Sequence, residues 1–105
     1  MAWYTAPSGV TCVVAYDAIG ASSLADSYTN EANPGTFDAA PGVAPTWAYG
    51  TGWTFNGSTQ YLTCGLPLNN TTSQSVIIRM SPTGSSKRGV LWDGSSSGDL
   101  IFLET

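Results

Sequence analysis

Charge of either sign is scarce in this sequence, and positive charge is nearly absent. Charged residues make up 10% of the 105-residue chain, the formal net charge is −4, and the cations are Arg79, Lys87 and Arg88. A protein that binds DNA or RNA needs a basic surface that neutralises phosphates and releases their counterions. Three cations against seven carboxylates do not provide one. We therefore expect no nucleic-acid partner.

Histidine is absent altogether. This absence excludes the Ser-His-Asp and Cys-His arrangements of nucleophilic catalysis. Glycoside hydrolysis instead needs two carboxyl groups held roughly 5–10 Å apart, and the carboxylates here are scattered along the chain. They are Asp17, Asp26, Glu31, Asp38, Asp93, Asp99 and Glu104. We therefore expect a protein that is not an enzyme.

Long apolar stretches are also missing. Apolar runs such as residues 100–103 are far shorter than the roughly 20 residues that span a bilayer. Residues 1–7 have neither a basic start nor an apolar stretch, so no signal peptide is visible in this chain. We expect no membrane insertion.

Cysteine occurs only twice, at Cys12 and Cys64, each within a segment that we predict to be a strand. Two alternatives are open. A disulfide between them would close a long loop and contribute about 4–5 kcal/mol in the chain-entropy model. Two buried free thiols, which behave as small hydrophobic groups, are the other alternative.

Helix-forming residues are few, whereas the chain holds 12 Gly, 6 Pro and many of the residue types that favour strands. No stretch carries apolar residues at helical spacing over three turns. The length suits one domain at most. We therefore predict an all-β fold, an antiparallel β-sandwich over residues 1–105, as a single domain or as the N-terminal part of one.

Two segments in the first half of the chain predict strands of this sandwich. Residues 9–16 form the first strand, with largely apolar side chains on both faces. Residues 53–55 and 61–64 form a hairpin around Asn56-Gly57, because that pair accepts the positive φ angles of a tight turn. Between them, residues 17–51 are polar and rich in turn signals, so we predict an irregular segment lying against the sheet.

The second half of the chain predicts three more strands. Residues 74–80 alternate between apolar and polar side chains, and residues 89–93 and 99–104 form a second hairpin. Residues 100–105 form a largely apolar strand with no turn or polar tail after it in this sequence. Such a strand at a free edge pairs readily with another chain. We expect this edge to be covered by self-association or by further chain.

Aromatic residues cluster where the irregular segment meets the first hairpin. Sugars bind to aromatic rings that stack on their C–H faces, with amides nearby that hydrogen-bond their hydroxyls. Trp47, Tyr49, Trp53 and Asn56 are therefore the candidate ligand-binding residues. The alternative interpretation is structural: Trp53 belongs to the core and Trp47 fixes the long loop.

Oxygen-bearing side chains at Asp26, Asn30 and Glu31 lie in one predicted loop. Calcium needs several converging oxygen ligands, so these residues are the candidate metal ligands and calcium is the candidate cofactor. Their spacing matches no EF-hand loop, and a solvated polar loop is the alternative.

The first hairpin and the strand before it carry a resemblance to a known family. Val14-Ala15-Tyr16, a polar loop, and then the segment from Trp53 to Gly65 with its Phe-x-Gly-x-x-x-Tyr-Leu pattern resemble the opening of a laminin-G-like, concanavalin-A-like lectin/glucanase jelly roll. Residues 75–80 and 89–92 are similar to that family's next strands. Complete domains of the family are longer, so the resemblance covers only their N-terminal part.

This resemblance implies a jelly-roll fold, completed by another chain or by a missing C-terminal part. It also implies surroundings outside the cell or on a virion, since such modules occur in adhesion proteins, carbohydrate-active enzymes and phage structural proteins. Family glucanases carry a Glu-x-Asp-type pair on one strand, which this sequence lacks. None of the family's ligand or calcium positions matches a residue here.

Two functions follow as expectations. The first is a non-catalytic, lectin-like recognition module that binds a glycan or a surface polymer. The second is a structural subunit of a virion or extracellular assembly, built by strand pairing between copies.

Overall fold

The structure is a computed structural model that describes residues 6–67, 75–81, 88–93 and 100–104. The chain divides into two compact units, Met1–Leu66 and Pro67–Thr105. The sequence-based expectation of a single domain over residues 1–105 stays a prediction.

The helix of the first unit is short. α1 (Leu24–Ser27) begins after Ser23, whose Oγ accepts a hydrogen bond of 3.0 Å from the Asp26 N–H. This N-cap contact satisfies one of the amides left free at a helix start. No helix in the described part of the chain is long and apolar enough to cross a membrane.

Four strands follow in the first unit and form two antiparallel two-stranded sheets. They are β1 (Ala40–Val43), β2 (Thr46–Ala48), β3 (Gly52–Thr54) and β4 (Tyr61–Thr63). β1 pairs with β4, and β2 pairs with β3. The prediction that residues 17–51 are wholly irregular is therefore wrong, because α1, β1 and β2 all lie within them.

The pairing of β1 with β4 contains a bulge. Pro41 lies opposite Leu62 and Val43 lies opposite Tyr61, so Gly42 is an extra residue in β1. A bulge suits a strand that contains proline, which donates no hydrogen bond to a ladder. Pro41-Gly42 is one of the turn signals on which the prediction of an irregular segment over residues 17–51 rested, which is why this strand was not predicted.

The connection from β2 to β3 is a tight corner. The Thr51 N–H donates to the Ala48 carbonyl at 3.1 Å, and Gly50 has φ 76°. A positive φ at the third position is the requirement of a type II turn, and glycine meets it without steric cost. Tyr49 occupies the second position, at the outside of the corner.

The predicted hairpin between β3 and β4 is wrong, although both strands lie where the sequence places them. The residues between them fold onto the side chain of Asn56 instead. Its Oδ1 accepts hydrogen bonds of 3.0–3.2 Å from the N–H groups of Ser58, Thr59 and Gln60. This Asx-type arrangement closes the loop on itself, so β3 and β4 take different partners.

The predicted strand over residues 9–16 is also wrong, since those residues join no described sheet and residue 9 lies in a turn. Their backbone groups find other partners. The Ala15 carbonyl accepts from the Glu31 N–H at 2.8 Å. The Ala15 N–H and the Val13 carbonyl are both bound by the side-chain amide of Asn30. The buried side chain of Asn30 thus binds backbone groups that a neighbouring strand would bind in a sheet.

The second unit contains an antiparallel pair of strands, β5 (Arg88–Asp93) and β6 (Leu100–Glu104). This confirms the predicted second hairpin, within the described residues. Residues 75–80 are described but belong to no described sheet, so the strand predicted over residues 74–80 is wrong there. Residue 74 lies outside the described residues.

The interior of the described chain is notable for small and polar side chains. The buried hydrophobic residues are Ala15, Ala21 and Ala39, and the largest fully buried side chains are Asn30 and Ser27. Several large apolar side chains are exposed: Val10, Val13, Val43, Tyr49, Phe55, Tyr61, Val76, Ile77, Ile78 and Met80. The described chain is nevertheless mostly strands in small antiparallel sheets with little helix, as an all-β fold requires.

Candidate functional site

The structural centre of the first unit is Asn30, which has no exposed surface. Its Oδ1 accepts from the N–H groups of Ala15 and Ala32, at 2.9 and 3.1 Å. Its Nδ2 donates to the carbonyls of Val13 and Thr36, at 3.0 and 2.8 Å. A side-chain amide offers two donors and two acceptor positions, so all of its hydrogen-bonding capacity is used.

A second polar contact network lies beside it. The Asp38 carboxylate accepts from the backbone N–H groups of Asn30, at 2.8 Å, and Gly35, at 3.1 Å. The preceding residue, Phe37, has φ 57°, an unusual conformation for a bulky side chain, with a cost of about 1–3 kcal/mol. Its carbonyl accepts a hydrogen bond from the hydroxyl of Tyr16.

Tyr16 remains a neutral phenol to unusually high pH. Burial raises the pKa of its hydroxyl above the ordinary tyrosine value, and the nearby Cys64 and Asp38 raise it further. Desolvation and neighbouring negative charge both disfavour the phenolate. The hydroxyl is therefore held as a donor to the Phe37 carbonyl.

Trp53 is the centre of an aromatic cluster. Its ring centroid lies 6.1 Å from that of Tyr16, 6.2 Å from that of Tyr28 and 6.4 Å from that of Phe55. Its Nε1 donates to Ser27 Oγ at 2.8 Å. Tilted and edge-on ring pairs at this spacing stabilise packing. Of the candidate ligand residues, Trp53 is thus the one most fully engaged in internal contacts.

Trp47 and Tyr49 lie at the β2–β3 corner. Trp47 Nε1 donates to the Ala18 carbonyl at 2.6 Å, and the Gly50 N–H donates to the Ile19 carbonyl at 3.0 Å. The corner is therefore attached at two points to the turn that follows Tyr16. We name Trp47, Tyr49 and Gly50 the hairpin corner. Tyr49 is 76% exposed, so its ring projects from a backbone that is fixed in place.

The turn that holds the hairpin corner is itself built by one carboxylate. Asp17 Oδ1 accepts from the N–H groups of Ile19 and Gly20, at 3.1 and 2.8 Å. A Cβ at position 20 would collide with this carboxylate. Gly52, at φ 87°, brings the start of β3 against Ile19. Small residues at both positions let the turn and the hairpin approach closely.

The side chain of Asn56, the fourth candidate ligand residue, forms hydrogen bonds within its own loop. Its Oδ1 is bound as described above, and its Nδ2 donates to Thr59 Oγ1 at 2.9 Å. Its backbone N–H donates to Gln60 Oε1 at 2.8 Å. Trp47 and Tyr49 are therefore the candidate residues that the structure presents together on one element.

The three candidate calcium ligands have other partners in this structure. Asp26 is exposed and accepts from Ser22 N–H, at 2.8 Å, and Ser22 Oγ, at 3.0 Å. These two hydrogen bonds lower the pKa of its carboxyl below the ordinary value. Asn30 Oδ1 already accepts two hydrogen bonds, and Glu31 is not without a partner. In the described ranges, no three His, Cys, Asp or Glu side chains are grouped to hold a metal ion.

The two cysteines are free thiols and both are partly buried. Cys12 Sγ donates to the Val14 carbonyl at 3.5 Å, and Cys64 lies beside the Tyr16 hydroxyl. Of the two alternatives left open by the sequence, the structure contains the free thiols rather than the disulfide.

Two exposed aromatic residues, Phe55 and Tyr61, were not among the candidates. Tyr61 is 55% exposed and its ring lies over Gly42, where a Cβ would overlap ring atoms Cζ and Cε2. The strand that contains Tyr61 was predicted from the sequence, and Pro41-Gly42 lies about twenty residues before it. Nothing in the sequence, however, indicates that these two strands pair.

Comparisons with known proteins add no relative. No family model matches the chain, and neither a curated protein nor a solved structure matches it. The geometry of the described residues is therefore what a functional proposal has to rest on.

Proposed function

We propose that this chain is a non-catalytic, lectin-like recognition module that holds a glycan or surface polymer at the hairpin corner. The observation that carries the proposal is the placement of Tyr49. Its ring is 76% exposed, on a turn fixed by the bonds of Trp47 and Gly50 to the preceding turn. A ring presented on a fixed backbone binds a ligand with little further loss of freedom.

The chemistry of the ligand follows from the ring. The C–H faces of a sugar stack on an aromatic surface, and the exposed phenol offers a hydroxyl at the rim. The proposed fold is an antiparallel jelly roll of the concanavalin-A-like type, supported by the Phe-x-Gly-x-x-x-Tyr-Leu pattern at residues 55–62. The proposed surroundings are extracellular or on a virion, where such recognition takes place.

The test is a glycan array followed by titration of any glycan that binds. Tyr49→Ala is expected to weaken binding about tenfold, the order expected when a stacking ring is removed. Tyr49→Phe keeps the ring and is expected to bind within about twofold of the wild type. Val10→Ala, an exposed apolar residue elsewhere in the unit, is the matched control. Absence of glycan binding by the intact chain would contradict the proposal.

A second candidate function is a structural subunit assembled through strand pairing. The observation that favours it is in the second unit, where Ile77 is 94% exposed and residues 75–80 join no described sheet. Apolar segments outside a sheet, and strand edges without a partner among the described residues such as the edge of Leu100–Glu104 away from β5, are templates for pairing with another chain.

The structural candidate is tested by sedimentation of the intact chain over a range of concentrations. Self-association through this segment predicts a size that rises with concentration. Ile77→Lys is expected to suppress that rise, while Ser75→Lys, which places the same charge on an exposed polar position of the segment, has a smaller effect. A monomer at all concentrations excludes assembly by this route.

A further inference from the structure

Asn56-Gly57 is the one asparagine–glycine pair in the sequence. An asparagine side chain can be attacked by the backbone nitrogen of the next residue, which closes a five-membered imide ring and releases ammonia. Glycine at the next position leaves that nitrogen unhindered, since it carries no Cβ. Gly57 has φ 69°, and no atom beyond its chain neighbours lies within 4 Å of the place where a Cβ would stand. Asn56 and Gly57 are both exposed, so water reaches the pair.

The fold surrounds the side-chain oxygen of Asn56 with hydrogen-bond donors. Its Oδ1 accepts from the N–H groups of Ser58, Thr59 and Gln60, at 3.0, 3.0 and 3.2 Å. Attack of a nucleophile on Cγ places negative charge on this same oxygen. Backbone N–H groups that already point at an oxygen where charge develops stabilise the transition state without reorganisation. The three donors therefore form an oxyanion site around the Asn56 amide.

Two further hydrogen bonds fix the orientation of this amide. Asn56 Nδ2 donates to Thr59 Oγ1 at 2.9 Å, and the Asn56 backbone N–H donates to Gln60 Oε1 at 2.8 Å. The first bond holds the nitrogen end of the amide at the Thr59 hydroxyl, so that the oxygen end faces the three donors. The nitrogen that has to leave as ammonia thus lies at the exposed side of the loop, beside a hydroxyl.

The other asparagines within the described ranges lack this combination. Asn33 precedes Pro34, which has no N–H to lose. Asn30 is fully buried, and the amide that follows it, the N–H of Glu31, donates to the Ala15 carbonyl at 2.8 Å. Residues 69 and 70, which are also asparagines, lie outside the described residues. In the part of the chain that the structure describes, an accessible nucleophile and an oxyanion site therefore meet at Asn56.

We propose that Asn56-Gly57 is a self-modification site, at which the folded loop converts Asn56 into aspartate. In the first step, hydroxide or water takes the Gly57 N–H proton and the Gly57 nitrogen bonds to Asn56 Cγ. The Cγ–Nδ2 bond then breaks, and Nδ2 takes a proton from water and leaves as ammonia. In the second step, water adds to Cγ, the bond from Cγ to the Gly57 nitrogen breaks, and that nitrogen regains its proton. Nothing is oxidised or reduced.

The same three donors favour aspartate over isoaspartate as the product. Water opens the imide either at Cγ, which restores the normal backbone, or at the backbone carbonyl carbon of Asn56, which gives isoaspartate, the main product in unfolded peptides. The N–H groups lie at the oxygen of Cγ and stabilise the charge that develops there. The outcome is one more negative charge on an exposed loop, in a chain whose formal net charge is −4.

The test follows the intact chain during incubation at neutral pH, in buffer and in guanidinium chloride of matched ionic strength. Proteolysis, chromatography and mass spectrometry measure the fractions of asparagine, aspartate and isoaspartate at position 56, with Asn56→Asp as the standard for the product. We expect the folded chain to react at least about threefold faster than the unfolded chain. We also expect it to yield more aspartate than isoaspartate.

Variants at Thr59 connect the rate to the loop. Thr59→Val removes the hydroxyl that orients the amide, and is expected to slow the reaction of the folded chain at least about twofold. Thr59→Ser keeps the hydroxyl and is expected to leave the rate unchanged. Thr54→Val makes the same substitution at an exposed position of β3 and is the matched control. In guanidinium chloride, all three variants are expected to react at the rate of the wild type.

Two results overturn the proposal. A folded chain that reacts no faster than the unfolded chain shows that the loop does not promote the reaction, and a folded chain whose main product is isoaspartate shows that the donors do not direct it. If Thr59→Val fails to fold, the rate and the product ratio of the wild type decide the question. None of these measurements uses a glycan, so their outcome is independent of the proposed recognition function.

Discussion

The two units of this chain differ in the kind of hydrogen bond that stabilises each of them internally. In Met1–Leu66, besides the β1–β4 and β2–β3 ladders, side chains of Asp17, Asn30 and Asp38 bind backbone groups that have no strand neighbour. In Pro67–Thr105, the described order is a backbone ladder between β5 and β6. The backbone–backbone hydrogen bonds of a ladder remain when a side chain is replaced. A backbone segment that is bound by one side-chain amide, such as that of Asn30, loses its hydrogen bonds when that residue is replaced. Single polar substitutions should therefore affect the first unit far more than the second.

The largest expected effect is that of Asn30→Ala. It removes the side-chain partner of the Val13 and Thr36 carbonyls and of the Ala15 and Ala32 N–H groups; the bond to Ala15 is buried and the other three are partly buried. A buried group that loses its partner costs about 1–3 kcal/mol. We expect a loss of roughly 3–5 kcal/mol in the free energy of unfolding of the first unit. Denaturant titration followed by tryptophan fluorescence measures it.

Hydrogen exchange at individual amides then tests the contrast between the units. The Ala15 N–H should lose its protection in Asn30→Ala, and the β5–β6 amides should keep theirs. Asn33→Ala, which changes an exposed asparagine three residues away, is the matched control and should change the free energy of unfolding by less than about 0.5 kcal/mol. If β5 and β6 lose protection equally, the difference between the units does not hold.

A smaller effect is expected for Trp53→Phe. It removes the hydrogen bond to Ser27 Oγ and part of the contacts with Tyr16 and Tyr28. We expect the first unit to be destabilised by about 1–2 kcal/mol, measured by denaturation followed by circular dichroism. Tyr49→Phe changes an exposed aromatic residue and serves as control. An unchanged midpoint in Trp53→Phe would show that the aromatic cluster does not stabilise the unit.

Tyr16→Phe is expected to cost about 1 kcal/mol at neutral pH, since it removes the donor to the Phe37 carbonyl. The raised pKa of Tyr16 adds a pH dependence. The stability it contributes is present below the ordinary tyrosine pKa and is lost as pH rises above that value, because the unfolded chain then ionises first. Denaturation midpoints should fall with alkaline pH in the wild type and less steeply in Tyr16→Phe. Parallel curves for the two proteins would rule out this linkage.

The smallest expected effect belongs to Asp26, which is fully exposed. Hydrogen bonds from Ser22 lower its pKa, so its contribution is present above the ordinary aspartate pKa and disappears as pH falls through the lowered value. Asp26→Asn and Ser22→Ala should each flatten the acid side of the stability profile slightly. If neither variant alters that profile, the bonds to Ser22 have no effect on stability in solution.

Strand positions could be predicted from the sequence better than strand partners. Segments with apolar and β-branched residues located β3, β4, β5 and β6 correctly, and the second hairpin is confirmed. The pairing of β3 with β4 was wrong because Asn56 bonds to its own loop, a local alternative that the Asn-Gly signal does not distinguish from a hairpin turn. β1 was missed because Pro41-Gly42 indicates a turn and instead forms a bulge.

The candidate site was predictable in part. Trp47 and Tyr49 follow from the presence of aromatic residues in a turn-rich segment, but their attachment to Ala18 and Ile19 depends on contacts 29 or more residues apart. Asn30 was assigned to calcium because a polar residue in a polar loop looks solvated. Its complete burial results from folding of the flanking segments around it, which composition and spacing do not reveal.

The central amide has a consequence for how the chain comes together during synthesis. The partners of the Asn30 side chain lie no more than 17 residues away, between Val13 and Thr36. Closing loops of that length costs little entropy, and contacts that are local in sequence form early. We therefore expect the nascent chain to form the hydrogen bonds of the Asn30 side chain soon after residue 38 leaves the ribosome. The β1–β4 and β2–β3 sheets of the first unit would then form after this part of the chain is already ordered.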